Sequence, residues 1–236
     1  WENTIPDTLA WTYNKNYVTR AELSILSILA DNNWKRPIYF AATVPNDNYL
    51  GLDKYLVQEG FAYRLMPIQV AKENAGALVN TEAAYTDITK KYAWGNMATS
   101  PYLDPESYRM IGLIVNSITG STATQLLEQG KEKEAKEIAL LVYDKMPKRV
   151  FLMRDVLNYT PIINVLYSVG ETQKANDIVK RNLQFLTQNM SYYNAIAQTK
   201  PELEYSNIET ALRTLGVYKS ILSQTKETKL LQEIQQ

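Results

Sequence analysis

The sequence predicts a mixed α+β fold that is mainly α, with a small N-terminal α/β lobe followed by helical hairpins. Three observations lead to this prediction. The first hundred residues contain two short β-branched and aromatic runs with a helical pattern between them. From Asp104 onward the apolar residues recur at helical spacing, and no later strand pattern is convincing. One helical pattern also repeats at an offset of 40 residues, which is typical of stacked hairpins.

The lobe is predicted to span residues 1–100, and its first element is a helix. Thr19 and Glu22 have the Thr-x-x-Glu spacing of a capping box, in which each side chain accepts a backbone N–H of the other residue. A broad apolar face follows this box. We therefore expect a helix from about residue 20 to residue 33.

A β-α-β unit is predicted next. Ile38–Thr43 and Phe61–Met66 have the composition of buried strands, and Leu50–Gln58 carries apolar residues on one helical side. Strands joined through a helix pair in parallel, and parallel sheets are normally larger than two strands. We therefore expect further strands upstream of Trp1, without which the lobe is incomplete.

Residues 101–236 are predicted to form tetratricopeptide-like helical hairpins. Gly130 is followed by Ala135, and Gly170 by Ala175 at the same spacing. A left-handed glycine closes the first helix of a hairpin, and a small residue lets the second helix approach closely. The period exceeds that of a strict tetratricopeptide repeat, so the resemblance is to the hairpin and not to the full consensus.

Composition excludes several classes of function. The chain has 236 residues and no Cys or His, which removes disulfides, thiol nucleophiles and every catalytic triad with an imidazole base. Its 25 Lys and Arg balance 25 Asp and Glu, so no overall field attracts nucleic acid. Four cations, Lys145, Lys148, Arg149 and Arg154, here called the basic turn, cluster around a turn, and we expect no aromatic residues to interleave with them for stacking on bases. We expect no nucleic-acid partner.

No segment is long and apolar enough to cross a bilayer, which needs roughly 20 residues. The longest apolar runs are Ile25–Ala30 and Met110–Val115. We therefore expect no direct membrane insertion by this segment. The chain opens on Trp1 without an initiator Met, a basic n-region or a cleavage site, so we expect it to be part of a longer protein.

Four short motifs together resemble the C-terminal region of large bacterial inner-membrane proteins related to protein O-mannosyltransferases. They are the segments 34–41 (WKRPIYFA), 49–52 (YLGL), 59–67 (EGFAYRLMP) and 94–96 (WGN). The resemblance implies a multi-span membrane glycosyltransferase with a lipid-linked donor, followed by an extracytoplasmic α/β lobe and tetratricopeptide-like helices. It places the catalytic acid in the membrane portion, so no catalytic, metal or cofactor residue is expected here.

A ligand loop is predicted between the first strand and the helix after it. Open parallel sheets place ligands beyond the carboxyl ends of their strands. The polar or permissive members of this loop are Thr43, Asn46, Asn48 and Gly51. No glycine-rich nucleotide motif is present, and an ordinary turn rich in Asn and Pro is the alternative.

A second candidate surface is the concave side of the hairpins. Tyr and Asn suit sugars or peptides, because rings stack while amides donate and accept, and Tyr occurs 17 times. Helical-repeat concavities receive extended peptides or partner helices. The predicted residues are Arg109, Asn116, Thr124, Asn164 and Tyr167.

The resulting hypothesis is a non-catalytic accessory region of a membrane O-glycosyltransferase-like protein, at the periplasmic face of the bacterial inner membrane. It would position a peptide, protein or glycan acceptor beside the upstream membrane domain of the same chain, without a cofactor. One alternative is a stand-alone protein–protein interaction module. Another is a soluble carbohydrate-active enzyme with paired carboxylates such as Asp104 and Glu106, although acidic residues in a first turn also suit the helix dipole.

Overall fold

The structure is a computed structural model that describes residues 8–13, 15–70 and 78–235, with the side chains of 201–205 and 233–235 excepted. It has a small mixed sheet and many helices, so the predicted α+β, mainly helical class is confirmed. The chain divides into two compact units, Trp1–Asp87 and Ile88–Gln236. The predicted domain boundary after residue 100 stays a prediction.

In its described residues, the first unit contains two α-helices and a four-stranded sheet in the order β1-β3-β2-β4. Its elements are α1 (Arg20–Asn32), β1 (Tyr39–Ala41), β2 (Leu56–Glu59), β3 (Ala62–Leu65), β4 (Leu78–Val79) and α2 (Thr81–Thr86). Short 3-10 turns occupy Asn46–Asn48 and Asp53–Tyr55. Strand β3 pairs antiparallel with both β1 and β2, while β2 and β4 are parallel.

The predicted capping box at the start of α1 is confirmed. The Glu22 carboxylate accepts the Thr19 N–H at 2.7 Å, and the Thr19 hydroxyl accepts the Glu22 N–H at 3.3 Å. Lys15 donates to the other Glu22 oxygen at 2.8 Å. These bonds hold the pKa of the buried Glu22 at about 2. The helix ends where Asn33 takes a left-handed conformation, with φ of 46°.

The predicted β-α-β unit is wrong. Leu50–Gln58 forms no α-helix: it contains a 3-10 turn and then strand β2, which turns back on β3 as an antiparallel hairpin with Glu59 opposite Ala62. The two residues between them are Gly60 and Phe61, and Gly60 has φ of 61°. A glycine with positive φ at the first position is typical of a II′ hairpin turn. This turn pairs the strands directly and leaves no crossover helix.

Gly51 is an exposed residue between the buried Leu50 and Leu52, and its backbone conformation is constrained. Its φ is 78°, and an added Cβ would lie 2.6 Å from the Thr12 carbonyl oxygen. Two hydrogen bonds join the same N-terminal segment to this loop. The Tyr55 hydroxyl donates to the Ala10 carbonyl at 3.0 Å, and the Trp11 indole N–H donates to the Leu50 carbonyl at 2.8 Å. Residues 10–12 therefore pack directly on the loop before β2.

The second unit is helical throughout its described elements. They are α3 (Pro105–Arg109), a π-helical segment (Leu113–Gly120), α4 (Ser121–Glu128), α5 (Glu132–Lys145), α6 (Met153–Asn158), α7 (Thr160–Ser168), α8 (Thr172–Ala197), α9 (Pro201–Gln224) and α10 (Thr228–Gln235). A further π-helical turn, Asp87–Lys91, begins at the last residue of the first unit. Helices α4 and α5 pack as one hairpin and α7 and α8 as another.

Both hairpins close with the same hydrogen-bond pattern. In the first, Lys131 N–H donates to the Leu126 carbonyl at 2.9 Å and Gly130 N–H to the Leu127 carbonyl at 2.9 Å. In the second, the N–H groups of residues 171 and 170 bond to the carbonyls of 166 and 167 at 2.8 and 3.1 Å. This is a Schellman motif with glycine in the left-handed position. The predicted hairpin turns are confirmed; their assignment to tetratricopeptide repeats stays a prediction.

A buried polar network holds α8 against α9 and α6. Asn182 Nδ2 donates to the Tyr218 hydroxyl at 2.6 Å, and that hydroxyl donates to the Val156 carbonyl at 2.5 Å. Burial raises the pKa of Tyr218, so the phenol stays protonated. Since a buried polar group is costly unless it is paired, this network fixes how α9 lies on α8.

An ion-pair cluster links the two hairpins. Glu171 lies at the turn before α8. Its Oε1 pairs with Lys136 Nζ of α5 at 2.6 Å, and its Oε2 pairs with Lys174 Nζ of α8 at 2.6 Å. The two ammonium groups hold the pKa of Glu171 at about 2. The carboxylate is therefore charged at any ordinary pH.

Candidate functional site

A groove of about 420 Å³ lies between α7 and α9. Helix α7 and the C-terminal end of α9 line it, and most of the side chains that they contribute are polar. The lining residues are Thr160, Asn164, Tyr167, Ser168, Val217, Ser220, Ile221, Gln224 and Thr225. Among these described residues none carries a formal charge. The groove can therefore recognise a ligand through hydrogen bonds and shape.

Helical spacing explains why these side chains share one groove. The α7 residues lie at i, i+4, i+7 and i+8 counted from Thr160, and the α9 residues at i, i+3, i+4, i+7 and i+8 counted from Val217. Positions with this spacing fall on one helix face. The opposite face of α7 is buried in the core through Ile162, Ile163 and Leu166. Packing of the apolar face thus turns the polar face toward α9.

Tyr167 is held in one orientation at the groove. Its hydroxyl donates to Asn176 Oδ1 at 2.6 Å, and Asn176 Nδ2 donates to Glu227 Oε2 at 2.9 Å. Burial and then the Glu227 charge raise the pKa of Tyr167 to about 12. The phenol is therefore neutral, and its proton points at Asn176.

The structure brings two of the predicted concave-face residues into this groove and leaves three outside its lining. Asn164 is exposed and Tyr167 half-buried on α7. Thr124 is half-buried on α4, and Asn116 lies in the π-helical segment. Arg109 is at the end of α3, where it pairs with Glu106 at 3.3 Å. A binding role for these residues stays a prediction.

The α9 side of the groove was missed from sequence. Its residues carry the same one-face spacing as those of α7, so the signal was present. Nothing local, however, indicates that α9 shares a groove with α7, because α9 is positioned by its packing on α8 and α6, which the buried Asn182–Tyr218 pair joins. Pairing between distant helices is a tertiary property.

The predicted ligand loop depended on a parallel β-α-β unit, which the structure does not have at this place. Thr43, Asn46 and Asn48 are exposed, but β1 pairs antiparallel with β3, so no crevice at the ends of parallel strands forms there. Gly51 is explained by its positive φ and by the nearby Thr12 carbonyl. A ligand role for this loop stays a prediction without structural support.

The carboxylates at the start of α3 have a capping geometry. Asp104 Oδ1 accepts the N–H groups of Glu106 and Ser107 at 3.0 and 3.1 Å, and Oδ2 accepts the Ser107 hydroxyl at 2.7 Å. Bonding to Ser107 lowers the pKa of Asp104. An ionised cap is a poor proton donor, and general acid catalysis of sugar hydrolysis needs a raised carboxyl pKa. The geometry favours the helix-cap interpretation.

The basic turn has aromatic neighbours, so the expectation of none was wrong. Lys148 Nζ lies 3.4 Å from the centroid of the Tyr143 ring. Arg149 Cζ lies 4.4 Å from the Phe151 ring centroid, and Tyr108 stacks on Phe151 with centroids 5.2 Å apart. These rings are engaged by groups of the same chain. The expected lack of a nucleic-acid partner rests on the balanced net charge and stays a prediction.

Comparison with known proteins concerns the first unit. Residues 2–83 match the family model described as TMEM260-associated domain 2. No curated protein and no solved structure matches the chain. The match agrees with the resemblance to membrane proteins related to protein O-mannosyltransferases, and it indicates a domain associated with a membrane glycosyltransferase-like protein.

Two further findings concern membranes and metals. Within the described ranges, no helix combines the length and the apolar character needed to cross a bilayer. Among the same residues, no group of three or more acidic side chains is placed to hold a metal ion.

Proposed function

We propose that this chain is a non-catalytic accessory region of a membrane O-glycosyltransferase-like protein, and that it positions the acceptor. The observation that carries the proposal is the match of residues 2–83 to TMEM260-associated domain 2. The motif resemblance adds that the catalytic acid belongs to a membrane portion of the parent. The same resemblance supports a location at the periplasmic face of a bacterial inner membrane.

The groove between α7 and α9 supports a positioning role. It is large enough for part of a polymer and offers hydrogen-bonding groups without charge. A site that only positions an acceptor contributes binding that is equal in the ground state and the transition state. Its loss raises KM and leaves kcat unchanged.

The test is a kinetic comparison in the full-length parent protein. Asn164→Ala together with Tyr167→Ala should raise the acceptor KM and leave kcat within error. Tyr192→Ala is the matched control, because this tyrosine on α8 is 58% exposed and does not line the groove. An unchanged KM in the double variant would contradict the groove's role. Turnover by the isolated 236-residue chain would contradict the non-catalytic assignment.

A further inference from the structure

We propose that the α7–α9 groove binds an uncharged carbohydrate, whose hydroxyl groups donate hydrogen bonds to Thr160, Tyr167 and Thr225. This inference rests on the proposed function and names the part of the acceptor that the groove holds. The hydroxyl protons of these three residues are already donated within the chain.

Tyr167 can offer a ligand only acceptor capacity. A phenol has one proton and two oxygen lone pairs. The proton is committed to Asn176 Oδ1 at 2.6 Å, and Asn176 is itself oriented by its bond to Glu227. Reversing the Tyr167 bond would require the amide to turn, which would break the contact of Asn176 Nδ2 with the carboxylate. The Tyr167 oxygen therefore presents lone pairs to the groove.

Two threonines of the lining are committed in the same way. Thr160 donates its hydroxyl to the Leu157 carbonyl at 2.7 Å. Thr225 donates to the Ile221 carbonyl at 2.9 Å. The Leu222 carbonyl at 3.5 Å and the Tyr167 hydroxyl, whose pKa a hydrogen bond with Thr225 lowers, are the other acceptors beside it, so the Thr225 proton is used within the chain. Both bonds return to the backbone of a preceding turn, so both oxygens have only lone pairs left for a ligand. Three hydroxyl oxygens on the two sides of the groove can therefore accept hydrogen bonds from a ligand, and none of the three can donate one.

Electrostatics oppose an anionic ligand at this place. Carboxylates and fully ionised phosphates accept hydrogen bonds and donate none. They would face three fixed acceptors, with the Glu227 carboxylate one residue behind Tyr167 in the relay. No lining residue supplies a compensating positive charge. An anion could use only uncharged donors such as Asn164 and Gln224, so the groove favours a neutral ligand over acidic sugars, sugar phosphates and acidic peptides.

A sugar meets these demands better than a peptide backbone does. A peptide unit brings one donor for each acceptor, and successive donors point to opposite sides of an extended chain. A sugar ring carries several hydroxyls close together, and each can donate. Its C–H surface also suits the apolar Val217 and Ile221, while Asn164 and Gln224 can donate to ring oxygens.

The experiment is titration calorimetry on the whole 236-residue chain with three probes. They are a panel of neutral hexose trisaccharides, a uronic-acid trisaccharide and an uncharged Ser/Thr/Gly peptide. We expect saturable binding of a neutral trisaccharide and at least tenfold weaker binding of the uronic-acid one. Tyr167→Phe and Thr225→Val should each weaken the neutral sugar about 2- to 12-fold, the range for one neutral hydrogen bond.

Tyr192→Phe is the control for loss of an exposed hydroxyl outside the groove, and circular dichroism checks that each variant folds. Equal sugar affinity in Tyr167→Phe, Thr225→Val and Tyr192→Phe overturns the inference. Tighter binding of the acidic trisaccharide also overturns it. If the peptide binds, Tyr167→Phe weakens it and no sugar binds, the carbohydrate inference fails while acceptor positioning stands. If none of the probes binds, the carbohydrate inference fails, and the KM comparison in the parent protein decides separately whether the groove positions the acceptor.

Discussion

The two hairpins of the second unit begin from the same turn and end in different surroundings. Leu126 and Leu166 occupy equivalent buried positions, and Gly130 and Gly170 have φ of 75° and 78°. Beyond the turn the sequences diverge. Where the first hairpin has Leu127, the second has Tyr167, whose hydroxyl starts the relay to Glu227.

The second hairpin, whose helix α8 is longer than α5, also packs against α9. Val142 of α5 is buried as an apolar residue, whereas its equivalent Asn182 of α8 bonds to Tyr218 of α9. The groove arises only where α9 lies beside α7. The repeated turn therefore makes a hairpin in both places, and the polar substitutions Tyr167 for Leu127 and Asn182 for Val142 distinguish the hairpin that carries the candidate site.

The largest test of this equivalence is truncation of the paired leucines. Leu126→Ala and Leu166→Ala should each lower the free energy of unfolding by about 2–5 kcal/mol, because each leaves a cavity in a packed core. Urea denaturation measures this loss. Leu212→Ala is the control, since Leu212 on α9 is 59% exposed, and it should change stability little. A loss in only one of the paired variants would show that the hairpins are not equivalent cores.

The next effect concerns the turn glycines. Gly130→Ala and Gly170→Ala should each cost about 1–2 kcal/mol, the strain of a left-handed non-glycine residue. An added Cβ meets nothing within 4 Å at either position, so no clash contributes. The two losses, measured by chemical denaturation, should therefore agree with each other. Gly51→Ala should cost more, since strain and contact with the Thr12 carbonyl act together.

A smaller effect separates the hairpins. Tyr167→Phe should cost about 0.5–1.5 kcal/mol, because it removes one hydrogen bond and leaves Asn176 Oδ1 without its donor. Thermal unfolding followed by circular dichroism measures the change. Tyr192→Phe, outside the groove, should leave the melting temperature unchanged. If both variants behave alike, the relay contributes nothing to the second hairpin.

The smallest effect depends on pH. The pKa of Glu171 is lowered from its usual 4.5 to about 2 by Lys136 and then Lys174, so its contribution is present above 4.5 and lost as pH falls toward 2. Glu171→Gln should therefore be less stable than the parent at pH 7, and the difference should close between pH 4.5 and 2. Urea midpoints across this range measure it. Glu128→Gln, an exposed residue at the end of α4, is the control and should show no such convergence.

Sequence reasoning succeeded where the determining contacts are local. The capping box at Thr19 and both hairpin turns are confirmed, since each depends on residues a few positions apart. The buried faces of α5 and α8 follow from helical periodicity in the same way.

Prediction from sequence was wrong or incomplete where the structure depends on which strands pair and which helices pack together. Leu50–Gln58 was predicted as a helix from its apolar spacing, yet β2 forms because Gly60 lets the chain turn back on β3. A Gly at the first position of a two-residue turn was a signal that could have been read. At the candidate site, Asn164 and Tyr167 were predicted, whereas the α9 residues were not.

The amino-acid sequence by itself determined the helices, their caps and the repeated turn, because backbone hydrogen bonds and side-chain spacing within one segment set them. Tertiary structure alone decided the strand order and the groove. The strand order requires β1 and β2 to pair on either side of β3, and the groove requires α9 to be held by Asn182 and Tyr218. Such contacts join residues far apart in the chain, and their free energy depends on which surfaces meet.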